Sequence, residues 1–220
     1  MPGEDLREQL LRAALDILVE RGYAETRILD VAERTGISPG VVIFHFKNRD
    51  DLLTEALRYW EDAWHATTAA SVAGVPDAAG QLSRLILMTY DPEPDLPGGS
   101  WLLWLDLWAL APRSPAVAAA RREFDERWYQ MFREIVLRGR DAGEFGEVDV
   151  DEFILTLTAL MDGLALRFAL GDPDCDSTRA HDLAMAYALA RLAPRVPGAR
   201  SSLPGQRPSG STRSPAIARS

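Results

Sequence analysis

The 220-residue chain is 47% apolar and carries a formal net charge of −9. That size supports one large domain or two small ones sharing a core, and that charge argues at first sight against a nucleic-acid partner. A single cysteine, Cys175, excludes an intramolecular disulfide, and the chain shows neither the apolar core of a secretory signal nor the ~20 apolar residues of a membrane helix; the expectation is a soluble cytoplasmic protein with no membrane partner.

Taken in chain order, the segment from Leu6 to Leu192 reads as all-α. Leu6, Leu10, Ala14, Ile17 and Leu18 recur at helical spacing, and Gly22 stands where a stop belongs. A short second helix runs from about Thr26 to Arg34 and stops at Gly36. The third starts at Ser38 as N-cap with Pro39 in its first turn. Asn48 caps a longer fourth helix, with Asp51 three residues on as in a capping box. Further helices are expected at about 78–90, 100–111, 115–142, 150–170 and 177–192, separated by breaks such as "GVPD", "DPEPDLPGG" and "GDPDCDS". After Pro194 the chain is Pro, Gly, Ser and Arg with little to bury, and is read as disordered. Residues 195–220 hold five arginines and no acid, whereas residues 1–60 hold 8 basic and 11 acidic side chains. Any contact with DNA must therefore come from a few well-placed groups.

Two short helices joined by a tight turn, "ILDVAERTGISPGVVIFHF", form a helix-turn-helix, in which the second helix enters the major groove. Ala32 permits close helix packing and Gly36 supplies the positive φ of the turn. The wider stretch "GYAETRILDVAERTGISPGVVIFHFKNRDDLL" resembles the DNA-binding segment of TetR-family transcriptional regulators over about Leu6 to Leu57. Further on, "WLLWLDLWALA" and "DGLALRFALGDP" look like the regulatory domain of the BetI-type branch of that family. The resemblance implies an N-terminal helix-turn-helix domain (1–48), a helical ligand-binding and dimerisation domain (49–194) and a basic tail (195–220). It implies a homodimer that binds a double-stranded DNA operator with inverted-repeat symmetry, acts as a repressor, and responds to a small-molecule effector. The alternative is a helical small-molecule-binding protein without specific DNA recognition.

By the same resemblance, the DNA-facing residues are Thr26, Arg27, Ser38, Pro39, Gly40, Val41, Ile43, Phe44, His45, Lys47 and Arg49. Lys47 and Arg49, beside the start of the fourth helix, would clamp phosphate. This chain has Val41, Ile43 and Phe44 where relatives often carry hydroxyls; the two aliphatic side chains could still meet thymine methyls. Arg27 replaces a common Thr or Ser.

In the second half, Trp101, Trp104 and Trp108 fall on one helical face. With Trp60, Trp64, Trp128, Met88 and Phe132 they form the expected ligand-binding set, either as a plain aromatic core or as the wall of a cavity. On a helical wheel Asp106 lies about 140° from Trp108 and about 160° from Trp104, which leaves two readings open: an outer-face position, or an acid among indoles that would suit a cation. Small residues on the last two helices, Ala159, Gly163, Ala165 and Ala169 with Ala184, Ala186, Ala188 and Ala190, suit close helix approach and, by resemblance, a four-helix dimer interface. No Gly-rich phosphate loop is present, and His45, His65 and His181 are too scattered for a metal site. "DPDCDS" departs from a calcium loop at Ser177 and Leu183. No enzyme, cofactor or metal is expected.

Overall fold

A computed structural model describes residues 5–90 and 101–193. Among these residues the helices are α1 (Leu6–Glu25), α2 (Ile28–Thr35), α3 (Pro39–Phe46), α4 (Arg49–Ala73), α5 (Ala78–Tyr90), α6 (Trp101–Leu110), α7 (Pro115–Asp141), α8 (Val150–Ala169) and α9 (Ser177–Leu192), with a 3-10 turn at Ala111–Arg113. The expected tail 195–220 and the "DPEPDLPGG" break lie outside the described residues.

Local chemistry accounts for most of these boundaries. The Asn48 side chain accepts from the Asp51 N–H at 2.9 Å and donates to the Asp51 carboxylate, also at 2.9 Å. Ser114, Asp149 and Asp176 cap α7, α8 and α9 in the same way, each accepting from the N–H three residues on. Ser38 occupies the cap of α3, but its hydroxyl makes no capping bond. Gly36 closes α2 at φ 71°, as the turn requires.

Gly22 breaks α1 as its place in the sequence suggests: at φ 79° and ψ 168° the backbone leaves helical geometry, and a last short turn resumes beyond the kink to Glu25. That conformation belongs to glycine almost alone.

Two apolar cores meet along α4 and α7. The first gathers α1–α3 and the start of α4, plugged by Phe46 at 2% exposure, and also takes Leu103 and Leu107 of α6 and Phe124 of α7. The second joins α5, the latter part of α7, α8 and α9 around Phe132, Phe153 and Leu157. Helix α6 thus belongs by sequence to the second half and by packing to the first. Each large apolar side chain so buried contributes roughly 1.5–3 kcal/mol. No helix of the described residues is long and apolar enough to cross a membrane.

Candidate DNA interface and ligand cavity

Helix α3 turns Val42 and Phe46 into the core and presents Val41 (37% exposed), Ile43 (46%) and Phe44 (84%) outward. Ser38, Pro39 and Gly40 are exposed on the same helix, and His45 is half-buried with its ring edge-on to Phe44. The outward face of the recognition helix is therefore apolar.

Lys47, the only lysine of the chain, follows at φ 61° and ψ −52°. Around it the Asn48 N–H donates to the Phe46 carbonyl at 2.6 Å. This is a γ-turn of the strained, positive-φ kind, and it swings the chain directly from α3 into α4. The Lys47 side chain is exposed and carries no ion pair among the described residues, and the same holds for Arg27. Other cations of this domain are committed: Arg34 pairs with Glu20 at 2.6 Å and Arg21 with Asp30 at 3.1 Å, while Arg7 pairs with Glu55.

Two residues expected on the DNA face turn inward. Thr26 is fully buried, and its hydroxyl donates to the Gly22 carbonyl at 2.8 Å, holding the bend of α1. Arg49 folds back across the Tyr23 ring. Its guanidinium donates to the carbonyls of Tyr23, Ala24 and Thr26 and pairs with Asp50 at 2.9 Å. Four acceptors already engage it, so it staples the end of α1 to α4 and is not placed to clamp a phosphate.

Behind this domain lies a cavity of about 110 Å³, walled by all six tryptophans of the chain: Trp60, Trp64, Trp101, Trp104, Trp108 and Trp128. Trp60 and Trp104 pack edge to face with centroids 5.5 Å apart, and Trp64 and Trp128 form a tilted pair at 5.1 Å. The helical spacing of Trp101, Trp104 and Trp108 thus reads correctly as one face, and Met88 joins the wall. Phe132 does not. It is wholly buried behind Trp128, 4.8 Å from it and edge-on, because its position on α7 points into the second core.

Polar residues that the aromatic pattern did not reveal also line the cavity: Glu61, Arg121, Asp125, Thr158 and Asp162. Arg121 pairs with Asp125 one helical turn along α7. Glu61 is 2% exposed, and burial pushes its carboxyl up to about 8. Asp162 lines the cavity yet remains exposed, and partial loss of hydration together with Asp125 raises its carboxyl to about 6.

Asp106 does not enter the cavity. It lies on the opposite face of α6, where its carboxylate accepts the Tyr23 N–H at 3.0 Å. The helix that walls the cavity with three indoles therefore grips the bend of α1 with its other side.

A two-helix DNA-reading unit mounted on a helical body with an aromatic cavity defines a helix-turn-helix regulator with a ligand-binding domain. Comparison with known proteins agrees over most of the chain. Residues 10–56 match the model of the bacterial regulatory proteins of the tetR family, and residues 78–193 match that of the C-terminal domain of BetI-type transcriptional repressors. The HTH-type transcriptional regulator BetI of Burkholderia mallei is 30% identical over 201 residues, covering 89% of this chain and 100% of that protein. Among solved structures, a transcriptional regulator from Saccharomonospora viridis in complex with choline is 28% identical, with a TM-score of 0.77 over 86% of this chain and 98% of that one. A TetR-family regulator from Rhodococcus sp. is 26% identical, with a TM-score of 0.72 over 85% and 98%. The chain belongs to the TetR family of transcriptional regulators, with a BetI-type C-terminal domain.

Proposed function

We propose that this regulator is a cytoplasmic homodimeric repressor whose α3 helices read an inverted-repeat operator, and that an organic cation in the tryptophan cavity releases it. The observation that carries this reading is the cavity: six indole faces and three carboxyl groups in one small volume are the chemistry that recognises a cation. The similar regulator from Saccharomonospora viridis was solved with choline, a cation of that kind.

For DNA, Arg27 and Lys47 are the unpaired cations that reach phosphate, while Val41, Ile43 and Phe44 meet thymine methyls. His45, Ser38, Pro39 and Gly40 flank them. For the dimer, the outer side of α8 and α9 supports the reading. It exposes Leu155 (64%), Leu170 (71%) and Leu189 (45%), and a Cβ on Gly163 would meet nothing within 4 Å. Such an apolar face, carried by two adjacent helices, suits a second copy packed in twofold symmetry.

The test is a gel shift with genomic fragments, followed by titration of choline. A fragment containing an inverted repeat should be retained and then released by choline at a concentration that leaves unrelated helix-turn-helix complexes intact. If no fragment is retained under any condition, the chain is a binding protein without DNA recognition. If DNA is retained but no organic cation releases it, the cation reading fails.

A further inference from the structure

Three acids line the cavity, Glu61 from α4, Asp125 from α7 and Asp162 from α8, against a single cation, Arg121. Arg121 is spent on Asp125. Glu61 and Asp162 then have neither an ion pair nor a hydrogen bond among the described residues. Burying one unpartnered carboxyl, Glu61 at 2% exposure, is costly. Asp162, exposed on α8, adds a second carboxyl to the same lining, so the cavity presents two acids that no cation of the lining neutralises.

We propose that the effector carries two cationic centres, as a compact diammonium compound does, with one end at the buried Glu61 and the other at the exposed Asp162. This deepens the reading of the cavity as an organic-cation site and rests on it. The three acids come from three different helices around one cavity, and the one salt-bridged to Arg121, Asp125, acts electrostatically on both of the others. Size fits. A 110 Å³ cavity is somewhat smaller than the roughly 150 Å³ void that holds benzene. It therefore takes a chain of about six non-hydrogen atoms, such as 1,4-diaminobutane, and indole faces suit both its methylenes and its ammonium groups.

In the empty cavity a proton stands in for the missing charge. The charged groups around Glu61 are Arg127, Asp125 and Glu123 of α7 and Asp62 of its own helix, acids outnumbering the one cation. With its carboxyl held at about 8, Glu61 is protonated at neutral pH. A second ammonium takes the proton's place, so a diamine should expel close to one proton on binding and should bind more tightly as pH rises from about 6.5 to about 8. A single-charged cation seated at Asp162 leaves the Glu61 proton where it is.

Calorimetric titration of the full chain decides this, using 1,4-diaminobutane, 1-aminobutane and choline in buffers of different ionisation enthalpy. The diamine should bind at least about tenfold more tightly than either single-charged probe, with a buffer-dependent heat that reports proton release. Glu61→Gln should abolish that proton release and weaken the diamine about tenfold, while changing choline by less than about threefold. Asp162→Asn should weaken all three. Equal or tighter binding of choline or 1-aminobutane by the native protein overturns the two-charge inference alone, as does an unchanged diamine affinity in Glu61→Gln. Absence of binding by all three probes overturns the organic-cation reading with it.

Discussion

The contact between Asp106 and the bend of α1 gives a sharp energetic test. A Cβ on Gly22 would stand 2.6 Å from the Asp106 carboxylate oxygen, the same oxygen that accepts the Tyr23 N–H. Gly22→Ala therefore meets two costs. The backbone at φ 79° and ψ 168° strains any other residue by about 2 kcal/mol, and the displaced carboxylate gives up a charge-assisted hydrogen bond of roughly 2 kcal/mol. Asp106→Ala forfeits only the second. The double variant keeps the strain but has no carboxylate to displace, so it should cost about 4 kcal/mol, where adding the single costs gives about 6. Urea denaturation measures all three, with an unchanged slope confirming that the native state alone is affected. Strict additivity would refute the geometry. Function should follow the same contact: Asp106→Ala is expected to leave operator affinity within about threefold while cutting effector-driven release about tenfold, the scale of a typical coupling energy. Full release by that variant would show that α6 does not act on α1 through this residue.

Other expectations come from single sites. Lys47→Gly relieves the strained γ-turn and should stabilise the fold by about 1 kcal/mol, while operator binding weakens and its salt slope falls by about one per half-site; a stability loss would argue against the strain. Gly163→Glu places a charge on the outer face of α8 and should convert the dimer to monomer in sedimentation, since a buried unpaired charge costs several kcal/mol; a native protein that is monomeric at micromolar concentration would remove that interface. Glu61 binds its proton more tightly folded, at about 8, than unfolded, at about 4.3. The folded state holds the extra proton across that window, so stability should fall as pH rises from about 4.5 to about 8 and level off above. Glu61→Gln should flatten this dependence in thermal melts of the ligand-free protein; an unaltered profile would place the titration elsewhere.

The helices were legible because their ends are written in local chemistry. Asn48 with Asp51, Ser38–Pro39 and Gly36 each act within four residues, so no tertiary knowledge is needed to read them. The aromatic wall was legible for the same reason, since Trp101, Trp104 and Trp108 share a face by helical period alone. What escaped is what distant elements decide. Glu61 sits in "YWEDAWH", which resembles a solvated helix face until α7 closes over it. Arg49 was expected at phosphate because the sequence does not say that three carbonyls at the end of α1 point towards it. A signal for one missed residue was present: Asp162 interrupts the apolar run "LTALMDGLAL", and an acid there asks for a partner or a ligand. Asp106 offered the same clue, and helical angle left its face open without revealing that Tyr23 stood opposite.

The sparse charge of the DNA face bears on how little the effector must do. In the proposed dimer, Arg27 and Lys47 give four unpaired cations for phosphate, so the logarithm of affinity should fall with that of salt at a slope of about −3.6, a loss of roughly 150-fold between 50 and 200 mM. The rest of the protein opposes binding, with a net charge of −9 over the chain. Operator affinity then depends on two α3 helices reaching their half-sites together through apolar contacts, which decay over fractions of an ångström and tolerate no misplacement. A small shift of α6, passed by Asp106 to the bend of α1, would break the register of one helix against its partner. The effector needs no more differential affinity than about 1–3 kcal/mol to empty the operator, and DNA must weaken effector binding by that same factor. Measuring effector affinity with and without a saturating operator fragment tests this directly: equal affinities, alongside effector-driven release at equilibrium, would violate linkage and show that the two ligands do not share these dimer states.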